Sequence, residues 1–529
     1  MMDFLWASFL LLLWLFSYLL VRYFSLQRRR KHPTSTTSLG SLPSPPALPI
    51  IGHLHLLGPL MHRYLHRLSN RYGPLFHLRL GSLGSVVVAS SASMAEEFLK
   101  THELSFTSRP GVSGSEYSGD ETGGFTLSPY GPYWKFLKKL SVTRLFSNKM
   151  LQQTVGIRRE ELLFFLDSLY RKSRAGEAAD LGLALTALSN NVISRMLMSE
   201  RCSGSANEAE KCREAVEEIL EMTWKLNTLT TWGHFWGFDL FGYRKRLKVV
   251  HRTYKMLMER IMDDHERKEK QRREMGGGEV KENEDIMDIL LRVSKDEEAE
   301  VKMNRDNVRV FITDIFTAGT ETSSKALLWA LSELINHPQI FQKAREEIES
   351  IVGKSRVVEE SDIPNLPYLQ AVVKETLRLH PVAPVIIREC SQDCRVMGVD
   401  ILKGTKLFVN VWTIGRDAAS WPEDPLEFRP ERFLTMSGTD QNGGGGPIDI
   451  KGQHFQLLPF GRGRRMCLGY PLAIPVIQAT LAATVQCFDW KPVGQPDPSR
   501  IKMEEKDGFT VSLAHPLHCI PVPHLNPTV

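Results

Sequence analysis

Apolar positions along the chain first run together, then alternate, then recur at helical spacing. Residues 4–21 are a run of 18 broken only by Ser8 and Ser17. As a helix rising about 1.5 Å per residue, this run spans about 27 Å, near the hydrocarbon thickness of a thin bilayer such as that of the endoplasmic reticulum. It has neither a basic leader nor a small-residue cleavage site, so it reads as a retained anchor and not a signal peptide. Arg28, Arg29, Arg30 and Lys31 follow, and the positive-inside rule then places everything downstream in the cytosol. Pro43, Pro45, Pro46 and Pro49 in LPSPPALPIIG fix φ, remove donors and predict a stiff spacer. The expected order is a single-pass transmembrane anchor at 1–27, a basic and proline-rich hinge at 28–52, and one large body at 53–529.

Residues 75–89 alternate and then run Val86-Val87-Val88 across Gly81 and Gly84, the pattern of a strand pair. Helical periodicity dominates afterwards, in stretches near 92–101, 132–142, 151–172, 183–198, 206–229, 242–273, 304–336 and 366–379. The stretch at 304–336 exceeds the usual helix length and is expected to thread the core. Short strands, proline-rich loops and one more helix near 472–487 follow, while 276–278 and 443–446 read as solvated glycine insertions. The predicted fold class is mostly α with small peripheral β-sheets.

Composition changes this picture little. With 42% hydrophobic and 24% charged residues the body can bury a large core. A net charge of +5 is too small to argue for nucleic acid. Seven scattered cysteines, an odd number, argue against a disulfide framework, and Cys390 and Cys394 lack the further Cys/His pairs a zinc site needs.

The candidate chemistry lies in FGRGRRMCLG, residues 460–469. Cys467 precedes the last helical stretch, so its sulfur is expected at a helix N-terminus, where free N–H groups and the dipole favour a thiolate. Gly463 and Gly469 let the backbone turn tightly around a flat ligand, and Arg465 can pair with a carboxylate on it. A cysteine at a helix start is by itself most often a small buried residue. A Gly/Arg loop can also hold phosphate, but no βαβ strand precedes this one and no Gly-Lys-Ser/Thr is present. Within the long helix, Ala318-Gly319-Thr320-Glu321-Thr322-Ser323 places a side-chain-free step before a hydroxyl. Thr322 can bond back to the Ala318 carbonyl, loosening the helix and seating a water, and beside Glu321 it can relay protons. Alone, helical Thr and Ser mostly just bond locally.

Phe460, Gly463, Arg465, Cys467 and Gly469 match the haem-binding signature F-x-x-G-x-R-x-C-x-G of the cytochromes P450, and residues 318–323 resemble that family's oxygen-groove motif. The resemblance implies a cytochrome P450 fold, haem b held by Cys467 as axial iron ligand, room for oxygen beside Gly319, and a relay through Thr322 and Glu321. An axial thiolate favours O–O cleavage. Glu375 and Arg378 alone would be a surface pair worth about 0.2 to 0.5 kcal/mol; the resemblance instead implies a buried cluster with Arg432. It also implies that Trp134 and Lys138 face the haem propionates, Lys138 standing where the family more often has arginine, with Arg388 as a further propionate candidate. No flavin or nicotinamide site is recognisable, so electrons are expected from NADPH through a separate membrane-bound reductase. Its expected docking patch comprises Lys135, Lys139, Arg462 and Arg464.

VEESDIPNLPYLQAVVKETLRLHP, HPVAPVIIREC and IDIKGQHFQLLPFGRGRR are similar to plant microsomal A-type members of the flavonoid-oxidising subgroup: flavone synthase II, flavanone 2-hydroxylase and 2-hydroxyisoflavanone synthase. This implies O2-dependent oxidation of a flavanone to a flavone or 2-hydroxyflavanone, with triterpenoid or pterocarpan hydroxylation as the alternative. The candidate pocket wall is apolar: Phe311, Ile315, Ala318, Val382, Val385, Ile386, Phe509 and Val511. Lys325, Leu328, Leu468 and Tyr470 depart from the family pattern, and Leu468, in place of a common proline, restores an N–H expected to reach the sulfur. Three other classes are weighed. A peroxide isomerase dispenses with a relay such as Thr322, a non-catalytic membrane haem or lipid binder needs neither oxygen groove nor basic patch, and a thiol hydrolase built on Cys467 lacks a histidine partner.

Overall fold

The structure, a computed structural model, describes residues 8, 11–18, 22, 39–111, 124–202, 208–232, 241–275, 284–435, 437–439, 445–494, 500–506, 508 and 510–525. Residues 11–18 are helical and fully outward, with Leu11 66% and Trp14 65% exposed. The rest of the expected anchor, the basic block at 28–31 and the insertion at 276–278 lie outside the described residues. From Pro43 the spacer is docked and not free: the Pro43 carbonyl accepts the His77 N–H at 2.9 Å, and the Pro45 carbonyl meets His53 Nε2 at 2.8 Å. Proline carbonyls keep their acceptors, so a segment without donors can still line a sheet edge.

The predicted strand pair is β1 (Leu75–Leu80) and β2 (Gly84–Ala89), antiparallel, with Phe76 opposite Val88 and Leu78 opposite Val86. Ahead of it lies α1 (Met61–Tyr72), whose buried Leu65 and Ser69 form a seam hidden among arginines and histidines. The body continues through α2 (Pro132–Leu140), α3 (Val155–Ala175), β3 (Ala179–Asp180), α4 (Leu181–Met198), α5 (Glu208–Trp232), α6 (Tyr243–Glu274) and α7 (Ile286–Ser294). Then come α8 (Arg305–Asn336), α9 (Pro338–Val352), α10 (Pro367–Leu379), β4 (Val385–Glu389), β5 (Lys406–Asn410) and α11 (Tyr470–Cys487). The chain closes with β6 (Phe488–Val493), β7 (Glu505–Lys506), β8 (Ser512–Leu513) and β9 (His518–Pro523). Periodicity missed α1, α7 and α9. In α9 a stripe was nonetheless present: Pro338 opens the helix and Ile340, Ala344 and Ile348 are buried at four-residue spacing.

One sheet runs β1-β2-β5-β4 and another β6-β9-β3, both peripheral to the helices. α8 is the 32-residue core helix, started by reciprocal Asn304 and Asn307 side-chain bonds of 2.8 and 3.0 Å to each other's backbone N–H. It packs on α4, α10 and α11. Among the described residues α11 is the one helix long and apolar enough to cross a membrane, and 72% of it is buried, so it belongs to the core.

Candidate functional site

The cysteine loop is shaped by carbonyls, the Glu103 carboxylate and two left-handed glycines, Gly461 and Gly463. Gly463, at φ +74°, lies where an added Cβ would run into the Glu103 carboxylate, which accepts the Arg464 N–H at 2.5 Å and pairs with the Arg464 guanidinium. The Phe460 carbonyl accepts the Cys467 N–H at 3.0 Å, fixing the start of the turn. Gly469 is different from expectation: at φ −84° and ψ −1° it adopts a conformation open to any residue, and what it contributes is its N–H. The sulfur of Cys467 accepts from the N–H groups of Gly469 and Tyr470 at the start of α11. Both N–H groups belong to the helix terminus and pull the thiol down. A leading pair of residues Tyr470-Pro471 suits this end, because the first turn of a helix needs no proline N–H.

Cys467 is solvent-exposed, yet the surrounding chain is dense enough that burial pushes its thiol above the ordinary value, against the pull of the two N–H groups and of Arg109. Both observations hold when the sulfur lines an internal cavity. Ala318 gives the same sign from α8: it is exposed although Ile315, Phe316 and Thr320 around it are buried. Arg109 lies within electrostatic reach of both Asp314, one turn from Ala318, and the Cys467 sulfur, so the two elements face a common space. Thr322 Oγ1 donates to the Ala318 carbonyl at 2.6 Å on this face. Gly319, the next residue, is half-buried. A Cβ there would sit 2.6 Å from Ile193 Cδ1, so the missing side chain lets α8 approach α4, and Ala318 is the small residue on the cavity wall.

Around the opposite rim the site carries more buried positive charge than its neighbours neutralise. Burial and the proximity of Arg109 and Arg465 hold Arg388 far below the ordinary arginine range, and burial with Arg109 pulls Arg465 down to about 9. Among the described residues, the charges that oppose these cations are Asp314, Glu103 and the Cys467 sulfur. Arg465 spends its donors on the carbonyls of Thr107 (2.7 Å), Phe125 (3.1 Å) and Ser128, and stacks 4.5 Å from the Trp134 ring centroid. Arg388 reaches only the Ile387 and Arg465 carbonyls, at 3.0 and 3.4 Å. Trp134 is 1% exposed and its Nε1 has no partner. An orphaned buried donor beside three repelling guanidiniums is the environment of an anionic ligand, and the two propionates of a haem fit it. Arg109 was missed in the sequence; its one signal was the SRPG turn at 108–111. Lys138, expected at a propionate, donates to the Arg464 carbonyl at 2.6 Å and lies over the Trp134 ring.

Of the expected pocket wall, Phe311, Ile315, Val382 and Val511 are buried, while Val385 and Ile386 are half-buried. Ile386 reaches the cysteine loop, 3.8 Å from where a Gly461 Cβ would be. Phe509 lies outside the described residues. Phe125 adds a wall residue, stacked on Trp134 at 5.2 Å and 6.3 Å from Phe311. Lys135, Lys138, Lys139 and Arg464 line a surface cleft of about 350 Å³ with Tyr130 and Trp134. Arg462 stands apart, on the Gly452 carbonyl and over Phe455.

Below the site, Glu375 accepts from Arg378 Nε (2.6 Å) and Nη2 (2.7 Å), Arg432 Nε (2.9 Å) and the Arg429 N–H (2.8 Å), with all three charged side chains at most 3% exposed. Neighbouring Trp421 and Phe433 pack with Ile448, Ile450 and Leu457, and Phe460 leans on that cluster, linking it to the cysteine loop.

The chain matches the family model described as Cytochrome P450 over residues 42–518. It is 46% identical to 3,9-dihydroxypterocarpan 6A-monooxygenase of Glycine max, over 92% of this chain and 93% of that one. It is 41% identical to Beta-amyrin 24-hydroxylase of Glycine max, over 98% of both, and 39% identical to a flavonoid 3'-monooxygenase of Crocosmia x crocosmiiflora, over 99% of this chain and 98% of the relative. Among solved structures, a zebra fish cytochrome P450 in a structure with abiraterone superposes with a TM-score of 0.70 at 24% identity, over 88% of this chain and 99% of that one. A body whose cysteine sulfur and long core helix face one cavity, and whose sequence follows these proteins along nearly its full length, belongs to the cytochrome P450 family.

Proposed function

We propose that this cytochrome P450 monooxygenase of plant specialised metabolism oxidises a flat phenolic of the flavonoid or pterocarpan class. The observation that carries this reading is an exposed Cys467 within a densely packed surround, together with the buried apolar residues Phe311, Ile315, Val382 and Val511 that we assign to the pocket wall. The relatives named for pterocarpan and flavonoid oxidation support the substrate class. A triterpenoid is the second reading, supported by the Beta-amyrin 24-hydroxylase relative, which aligns over 521 residues.

Haem b supplies thiolate-ligated iron for oxygen activation, with electrons drawn from NADPH through a reductase. Cys467 would hold the iron, its charge eased by the Gly469 and Tyr470 N–H groups. Trp134 Nε1, Arg388 and Arg109 are our candidates for the propionates. Thr322 holds a hydroxyl proton against the Ala318 carbonyl, next in sequence to Glu321, and is the proposed relay. The apolar wall orients the substrate and excludes water. The cleft of Lys135, Lys138, Lys139 and Arg464 is the proposed seat of the reductase's acidic surface. The exposed apolar helix at 11–18 supports single-pass anchoring in the endoplasmic reticulum membrane, the body facing the cytosol.

Microsomes containing the chain and a plant reductase, incubated in parallel with a flavanone, a dihydroxypterocarpan and β-amyrin, test the proposal by product mass. An NADPH-dependent gain of oxygen, or loss of two hydrogens, on either phenolic supports it. Turnover of β-amyrin alone selects the second reading.

A further inference from the structure

Lys325 stands in α8 one turn past Glu321 and was singled out above only as a departure from the family pattern. Its Nζ lies 2.6 Å from Glu321 Oε2 and 2.5 Å from Thr510 Oγ1, and Thr510 Oγ1 donates to the same Glu321 oxygen at 3.1 Å. The three groups close a ring in which the ammonium donates twice and the carboxylate accepts twice. A pair at this spacing on an exposed helix face would be a minor surface contact. Here the third member is 185 positions away in sequence, is buried, and lies just ahead of β8.

The 510–511 turn is tethered three ways. Besides Lys325 on Thr510, the Trp329 indole donates to the Val511 carbonyl at 3.3 Å, and the Val511 N–H donates to the Val382 carbonyl at 2.9 Å. Val382 and Val511 are buried apolar residues that the proposed function assigns to the pocket wall. A substrate pressing on Val511 therefore acts on Thr510, and through it on Glu321, the acid next to Thr322.

We propose that Lys325 is a positioning residue that binds Glu321 and Thr510 into one unit, so that the acid beside Thr322 is held in place only while the 510–511 turn is seated against the pocket. This couples substrate seating to proton supply, and it rests on the monooxygenase reading of Thr322 and Glu321. An ammonium suits the task because its donors engage a hydroxyl and a carboxylate at once, which a serine or alanine at 325 cannot do.

The test compares haem-loaded protein carrying Lys325→Met, Thr510→Val, both together, or Lys325→Arg. Amide hydrogen exchange over residues 508–513 reports the turn, and product formed per NADPH consumed, with hydrogen peroxide released as the complement, reports proton supply. Losing a charged hydrogen bond is expected to speed exchange in this segment about tenfold or more in Lys325→Met. The same variant diverts electrons from product to peroxide, Lys325→Arg restores both readouts, and the double variant is no worse than the more severe single one. Unchanged exchange in both single variants, or effects of the two that simply add, overturns the proposal. The thiolate-type absorbance band of the carbon-monoxide complex is recorded alongside: its absence from the unaltered protein overturns the monooxygenase reading, whereas its presence with unchanged exchange overturns the role of Lys325 alone.

Discussion

Replacing Glu375 by alanine removes one carboxylate and leaves two guanidiniums in the interior. Four donors lose their acceptor: Nε and Nη2 of Arg378, Nε of Arg432 and the backbone N–H of Arg429. The arginines are not wholly abandoned. Arg378 keeps the carbonyls of Gly415 (2.5 Å), Pro425 (2.6 Å) and Glu427 (3.0 Å), and Arg432 those of Glu423 (3.0 Å), Asp424 (3.2 Å) and Glu427 (3.3 Å). Those dipoles spare the full desolvation penalty, so the cost is that measured for breaking a buried pair, about 3 to 5 kcal/mol. Against a total stability of about 5 to 15 kcal/mol, that is enough to expose much of the population to unfolding. The damage is also local: the segment tied down by Glu375 carries Trp421 and Phe433, which pack on the residues leading to the cysteine loop. Glu375→Ala is therefore expected to lower the urea midpoint and to abolish or sharply reduce haem per mole of purified protein. Glu375→Gln, which keeps an acceptor but no charge, is expected to fall between. Wild-type haem content together with an unmoved midpoint in Glu375→Ala refutes the reasoning.

Three further outcomes follow from other parts of the molecule. Cys467→Ser puts a hydroxyl where the sulfur accepts from Gly469 and Tyr470; the thiolate-type band of the reduced carbon-monoxide complex is expected to vanish with turnover, and a retained band ends the axial-ligand assignment. Gly319→Ala drives a Cβ to 2.6 Å from Ile193 Cδ1 and is expected to cost about 1 to 3 kcal/mol in urea unfolding, part of it recovered in the Gly319→Ala, Ile193→Ala double variant. Burial holds the Asp314 carboxyl up at about 6, against the opposing N–H groups of Thr126 and Phe125 and the charge of Arg109. Its folded value exceeds its unfolded one, so keeping it ionised destabilises the fold, from nothing below the unfolded value near 3.8 to a plateau above about 6. Asp314→Asn is accordingly expected to be more stable than the native protein at pH 8, by about 3 kcal/mol at most, and to lose that advantage as pH falls toward 4; an advantage that grows on acidification contradicts the shift.

The helices that mattered for function were legible because their apolar spacing runs long: 304–336 was expected and α8 spans Arg305–Asn336, and 366–379 became α10, Pro367–Leu379. The seam of α1 was not, because Leu65 is the one fully buried apolar residue in it, flanked by the polar His62 and Ser69. In the site, the five matched positions of the cysteine loop identified the chemistry but not its local geometry: Gly469 has a φ open to any residue, and the N–H groups that pull the Cys467 thiol down are those of Gly469 and Tyr470. In the long helix, the missing side chain of Gly319 also lets α8 approach Ile193. Arg109, Phe125 and Thr510 were invisible as site residues, since each comes from a loop or a single helical turn whose neighbours in space are distant in sequence.

By itself the sequence determined what is local: the first strand pair, most of the long helices, the length of the core helix, and a cysteine one turn ahead of a helix start. Those follow from side-chain periodicity and backbone preference within a few residues. Tertiary structure alone decided which way each small residue faces, which N–H groups meet the sulfur, that three buried guanidiniums converge without sufficient counter-charge, and that Lys325 clasps a turn 185 positions away. These are matters of packing and electrostatics between segments, set by where chains cross and not by what any one of them contains.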